Sequence, residues 1–173
     1  MPQLFTRRTM IGVGGATALA PIATMSAVAR AAAPTDTVTG PVIVLIEPIR
    51  VFDSRTAPPG LGGGKLVSGS SNGVSVGLLV ERGLVTDPRA VFVNVTITDT
   101  EGAGYLVVRA SDLVGDRPLP RTSNINWSTN GQTLANLVVT TVGGENTLEV
   151  HAGGSGRAHY ILDVQGFIPA VAN

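Results

Sequence analysis

The chain contains no cysteine, which excludes a disulfide scaffold, thiolate zinc sites, iron–sulfur clusters and a cysteine nucleophile. Charge is scarce: only 14% of the 173 residues are Asp, Glu, Lys or Arg, against about a quarter in an ordinary globular chain. Histidine occurs twice, at positions 151 and 159, so a metal centre of about three ligands would need converging carboxylates. Beyond residue 31 no apolar run approaches the roughly 18 residues of a membrane-spanning helix. What is present points the other way. Hydrophobic residues make up 43%, enough for a packed core and too many for disorder throughout. The 22 glycines and 11 prolines are neither periodic nor a third of the chain, which excludes collagen. Low charge, abundant turn formers and many valines and threonines indicate a soluble all-β domain.

The first 31 residues read as an address. Arg7 and Arg8 stand just ahead of a mildly apolar, Gly- and Ala-rich stretch from Met10 to Ala29, interrupted by Pro21. The stretch ends in Ala27-Val28-Ala29-Arg30-Ala31, which offers small residues to a signal peptidase. The combination resembles a twin-arginine export signal, with cleavage expected after Ala31 or, as the alternative, after Ala29. It implies a chain that folds before export and works as a secreted, extracellular protein, with no membrane association once the signal is cut. Cleavage removes Arg7, Arg8 and Arg30 and no acid, leaving nine basic against twelve acidic residues, a net charge of −3 over 142 residues. A mildly acidic domain is a poor match for nucleic acid, whose phosphates reward basic patches. A domain of that size buries about two-thirds of the surface of its unfolded chain, enough for a core without disulfides.

Residues 32–41 read as a flexible leader, 42–169 as one β-sandwich domain and 170–173 as a tail. The period in the domain is two. In Ala90–Thr98, Val91, Val93, Val95 and Ile97 alternate with Asn94, Thr96 and Thr98, the pattern of a half-buried strand. The turn-forming Asp99–Gly104 followed by Tyr105–Arg109 predicts a hairpin. Further strands are expected at Val42–Glu47, Arg50–Asp53, Val74–Val80, Leu134–Val142, Thr147–Ala152 and His159–Val164, with Asn124–Trp127 as a short edge strand. Gly153–Gly156 supplies a tight reversal between the last two long strands. Pro58 to Gly64 and Pro118 to Pro120 mark surface loops, and Leu78–Val85 is the one weak helical candidate. About eight short antiparallel strands suggest a single β-sandwich, most simply a jelly roll, with an open barrel as the alternative.

Several residues invite a functional reading. Asp53 and Arg55, two apart in an extended stretch, share a face. They serve either as a recognition pair or as an ion-pair network pinning the first long loop. Asn94, Asn124, Asn126 and Asn136 are unusual in strand-rich segments. Their amides either satisfy backbone groups or meet saccharide hydroxyls, with Trp127 as a stacking platform. His151 and His159 flank a Gly-rich turn and would face each other across a hairpin. Gly69-Ser70-Ser71-Asn72-Gly73 matches a nucleophile-elbow pattern but precedes a strand, where that chemistry needs a helix. Gly60–Lys65 lacks the Ser or Thr and the following helix of a phosphate loop.

Taken in order, Arg50-Val51-Phe52-Asp53-Ser54-Arg55-Thr56, Val93-Asn94-Val95-Thr96, Gly104-Tyr105-Leu106, Ser123-Asn124-Ile125-Asn126, Gly131-Gln132-Thr133 with Ala135-Asn136, and His159 leading to Asp163-Val164-Gln165-Gly166-Phe167 form a series. It resembles a β-rich domain of secreted actinobacterial proteins, found alone or repeated beside hydrolase and other extracellular domains. The resemblance implies an exported module and supplies no accepted catalytic residues. The expected function is therefore a non-catalytic β-sandwich for surface recognition or assembly at the cell envelope. Its partner would be an envelope glycan or protein, or further copies of itself, with no cofactor or metal. The alternative is a small secreted hydrolase acting on envelope carbohydrate or ester. Asp53, Arg55, His159 and Asp163 are expected to close into a network rather than open into a cleft.

Overall fold

The computed structural model describes residues 40–111 and 122–170. The export signal, nearly all of the leader, the Pro118–Pro120 loop and the last three residues of the tail lie outside the described residues. Among the described residues nine strands form: β1 (Val44–Asp53), β2 (Leu66–Val67), β3 (Ser71–Ser75), β4 (Pro88–Glu101), β5 (Gly104–Ala110), β6 (Ile125–Trp127), β7 (Leu134–Thr141), β8 (Thr147–Gly154) and β9 (Arg157–Pro169). A short α-helix, α1 (Leu78–Glu81), and two 3-10 turns, Pro59–Leu61 and Gly144–Asn146, interrupt them. The alternation drives the assembly. Val91, Val93, Val95 and Ile97 of β4, Leu148, Val150 and Ala152 of β8, and Ala158, Tyr160, Leu162 and Val164 of β9 are all fully buried in one core. A one-residue slip in any of these strands would turn that set to water.

Two antiparallel sheets face each other, one in the order β1-β9-β4-β7 with β2 also on β9, the other in the order β3-β8-β5-β6. The pairings nest: β1 with β9, β3 with β8, β4 with β7 and β5 with β6. This is a jelly roll, a long two-stranded ribbon rolled so that its successive segments alternate between the sheets. It corrects both expected hairpins. β4 and β5 lie in different sheets, as do β8 and β9, so Gly102-Ala103 and Ser155-Gly156 are corners crossing between layers. The corners pack on each other, and a Cβ on Gly156 would strike the Glu101 carbonyl.

Strand limits also differ from the sequence pattern. The two segments expected over 42–53 are one strand, whose register on β9 shifts between Leu45 and Ile49 and again between Arg50 and Phe52. Pro48, which has no N–H to give, falls inside the first irregularity. The strand expected to reach Val80 stops at Ser75. There Ser75 Oγ accepts the Gly77 N–H at 3.0 Å, and the chain makes one helical turn that sinks Leu79 into the core. The Leu78–Val85 pattern thus held a single turn of helix.

Candidate functional site

The first candidate cluster forms where β1 ends. Asp53 and Arg55 meet because the chain turns over 54–56, not because a strand continues. The turn brings the Arg55 guanidinium back onto Asp53, with Nε donating at 2.9 Å and Nη2 at 2.7 Å, while the Arg55 backbone N–H donates at 3.0 Å. The Asp53 carbonyl accepts the N–H groups of Thr56 and Ala57, closing the turn. Arg50, which lies opposite Asp163 on β9, donates to that carboxylate at 2.9 and 3.3 Å and reaches Asp53 at 3.4 Å. The network therefore reads Arg55–Asp53–Arg50–Asp163. The Arg55 side chain holds the Asp53 carboxyl at a pKa of about 2, against the opposing effect of burial and with help from the Arg55 amide and the Arg50 charge. A carboxylate so thoroughly ionised has no proton to donate near neutrality and little basicity.

Behind this network lies a polar cluster that sequence reasoning did not nominate, apart from His159. Ser54 is 1% exposed. Its Oγ accepts the Tyr160 N–H at 2.9 Å and lies 3.0 Å from His159 Nδ1. With the ring proton on Nε2, the Ser54 hydroxyl donates to Nδ1 and both groups are satisfied. Burial lowers the His159 pKa, as does the nearby Lys65 charge, with Asp99 acting in the opposite direction. Among the described residues no carboxylate bonds to this imidazole. Tyr160 stacks on Phe52 with ring centroids 5.0 Å apart, and its hydroxyl accepts from Asn72 Nδ2. His151 belongs to the other sheet, where its Nδ1 lies 3.0 Å from Ser71 Oγ. The two histidines each pair with a serine and do not face each other.

A groove of about 520 Å³ opens between β1 and β3, which are edge strands of the two sheets. Val51, Phe52, Pro58, Leu61 and Val74 line it, with Asn72 and Ser75 as its polar side chains. Leu61 is 70% exposed, an apolar side chain held at the mouth by the 58–64 loop. That loop is fixed from below: the N–H groups of Leu61 and Gly63 both donate to the Pro58 carbonyl, and the Gly64 N–H donates to the Ser54 carbonyl. Phe52 is shared, lining the groove while bracing Tyr160 beside the ion-pair cluster.

The four asparagines do not converge on one site, although Asn124 and Asn136 meet. Asn94 lies on the outer face of the first sheet, its amide donating to Thr96 Oγ1 at 3.3 Å. Asn124 accepts the Val108 N–H through Oδ1 at 2.6 Å, and its carbonyl accepts from Asn136 Nδ2 at 2.7 Å, stitching β7 to the second sheet. Asn126 is exposed and accepts from Ser123 Oγ. Trp127 is 4% exposed within the core, its indole edge lying over Gly104, where a Cβ would come 2.5 Å from the ring. A stacking platform at Trp127 is thereby overturned, because the strand period that exposes Asn126 turns its neighbours inward. Among the described residues its indole N–H has no hydrogen-bond partner.

The residues missed by sequence reasoning sit inside or beside the motifs that were noticed. Ser54 lies within the Arg50–Thr56 run, Asn72 within the glycine-flanked serine run, and Tyr160 next to His159. Among the described residues, no helix is long and apolar enough to cross a membrane. No protein-family profile, curated protein or solved structure matches the chain.

Proposed function

We propose that the protein is a secreted, non-catalytic recognition module of the cell envelope, exported through its twin-arginine signal and binding its partner in the groove between β1 and β3. The observation that carries this reading is the groove itself: a concave, mostly apolar surface of about 520 Å³ with Asn72 as an orienting amide, within the size range of ligand sites. The ionised network beside it holds the β1 end rigid and supplies charge at the rim. Of the two envelope ligand classes, the lining favours a protein segment. A glycan site offers several hydroxyl-matching polar groups, and here valine, proline, leucine and phenylalanine dominate. The hydrolase alternative would draw on the Ser54–His159 pair, but a hydroxyl that is 1% exposed and already bonded to the Tyr160 amide presents no attacking lone pair to a substrate.

The test is retention of the purified protein on insoluble peptidoglycan, on cell-wall polysaccharide and on an immobilised envelope-protein extract. Retention on the protein fraction, lost in Leu61→Glu at unchanged circular dichroism, is the expected result. Absence of retention on all three sinks the reading. Turnover of an ester or polysaccharide that disappears in Ser54→Ala transfers the function to the alternative. Export is tested separately: changing Arg7 and Arg8 to lysine together should hold the uncleaved chain inside the cell.

A further inference from the structure

Each sheet of a sandwich has two edges, and an unprotected edge is a template for another strand. Three of the four edges here are blunted. β1 carries Glu47, Pro48 and Arg50 and two breaks of register, β3 has five residues and β6 three. β7 has none of these devices. Its sequence, Leu134-Ala-Asn-Leu-Val-Val-Thr-Thr141, contains no charge, proline or glycine, and it pairs with β4 over eight consecutive residues without a bulge. Among the described residues β4 is its only ladder partner. On its outer face Leu137 and Val139 are 51% and 56% exposed, next to Asn94 and Phe92 of β4.

We propose that β7 is the interface for a second copy of this chain, paired antiparallel to its own mate about a two-fold axis. In an antiparallel pair about a two-fold axis each residue meets the one placed symmetrically across the axis, so a charge at the axis meets its like and a charge elsewhere needs its complement in one fixed register. A wholly neutral strand is free of both demands, whereas the β1 edge, with Glu47 and Arg50, is tied to a single register that centres beside Pro48, which has no N–H to pair. Pairing joins the two five-stranded sheets into one and brings Leu137 and Val139 of each copy beside those of the other. Because the contact is isologous it closes at two copies. Eight residues a side fall well short of the roughly 20–30 of a standard stable interface, so the dimer is a weak, reversible one. This surface is separate from the β1/β3 groove, and the inference stands whether or not the groove binds anything.

Sedimentation velocity over a wide concentration range tests it. The expected result is a monomer–dimer equilibrium whose dissociation constant rises roughly tenfold or more when Leu137 and Val139 are both changed to lysine. Leu45→Lys, on the same outer face at the far edge and 75% exposed, should leave it unchanged. The cysteine-free chain allows a second readout. Single cysteines placed from 134 to 141 should crosslink to their mates under oxidation at one or two neighbouring positions near the axis, and Leu45→Cys should not. A chain monomeric at every concentration, an assembly larger than a dimer, or crosslinking through Leu45→Cys as readily as through β7 would each overturn the proposal.

Discussion

Replacing Asp53 by asparagine isolates charge from shape at the end of β1. The side chain is 7% exposed and accepts from Arg55 Nε, Nη2 and backbone N–H and from Arg50 Nη1. Its pKa falls from an ordinary 3.8 to about 2. Nearly two decades in proton affinity correspond to roughly 2 kcal/mol. The partners are Arg50 and Arg55, 52% and 46% exposed, and water screens part of their attraction, which brings the figure to about 1–2 kcal/mol. Since the folded value is depressed, the stabilisation is complete above the unfolded pKa of 3.8 and is lost as pH falls from there through about 2. Asp53→Asn should therefore unfold in urea at lower concentration than the parent at pH 7, by about 1–2 kcal/mol. The difference should shrink toward zero below pH 2, where the parent is protonated as well. Asp53→Ala also strands the Arg55 N–H and should cost about 1 kcal/mol more. Parallel urea curves at both pH values, with the same gap or with none, would refute the assignment of this charge to fold stability.

Three other positions give sharp expectations. Gly104→Ala forces a Cβ to 2.5 Å from the Trp127 ring and 2.8 Å from the Gly153 carbonyl; it should cost about 1–3 kcal/mol, while Gly73→Ala, whose nearest neighbour lies at 3.6 Å, should be nearly silent in the same melts. Trp127 is the only tryptophan, so intrinsic emission should be blue-shifted, resistant to acrylamide and indifferent to added saccharides. Trp127→Phe, which removes an unpartnered buried N–H, should cost less than the roughly 3–5 kcal/mol of Trp127→Ala. The His159 ring should titrate by NMR below the ordinary 6.5 because of burial and then Lys65; stabilisation from the neutral ring is present above 6.5 and lost as pH falls through the folded value. A midpoint at or above 6.5 would contradict the described packing.

How much of this was legible in the sequence depends on which interaction set each feature. The core face of β4 could be read off directly, because burial there selects every second residue and leaves a periodic trace. The sandwich follows from the number of expected strands. The two hairpins did not survive, because a turn sequence reports that the chain reverses, not whether the next strand joins the same sheet. That choice is made by which strands pair at long range, and β4 pairs with β7 and β9 through residues far along the chain. The Asp53–Arg55 contact was foreseen for the wrong reason, since a turn rather than a continuing strand makes it. Trp127 was misplaced because an aromatic beside polar residues looks exposed until the strand phase is known. Ser54, Asn72 and Tyr160 lie in or beside noticed motifs, yet their grouping was not legible, because it comes from a crossing of β1, β3 and β9 that local pattern does not encode.

The positions of the groove and of β7 have a joint consequence. In the first sheet β1 and β7 are opposite edges, so pairing through β7 leaves both β1/β3 grooves free at the outer ends of the enlarged sheet. On the proposed reading, such a dimer would carry two binding sites toward any surface that presents many copies of a ligand. Once one site is engaged, the second binds at high effective concentration, and retention on a surface can exceed the single-site affinity by roughly a hundredfold. The Leu137→Lys, Val139→Lys double variant separates the two effects. Its affinity for a soluble, monovalent ligand should equal that of the parent, because the groove is untouched. Its retention on immobilised ligand should fall steeply, and the parent should lose the same advantage when diluted below its dimer dissociation constant. Equal retention of parent and variant at high protein concentration would show that the grooves of the dimer cannot reach one surface together.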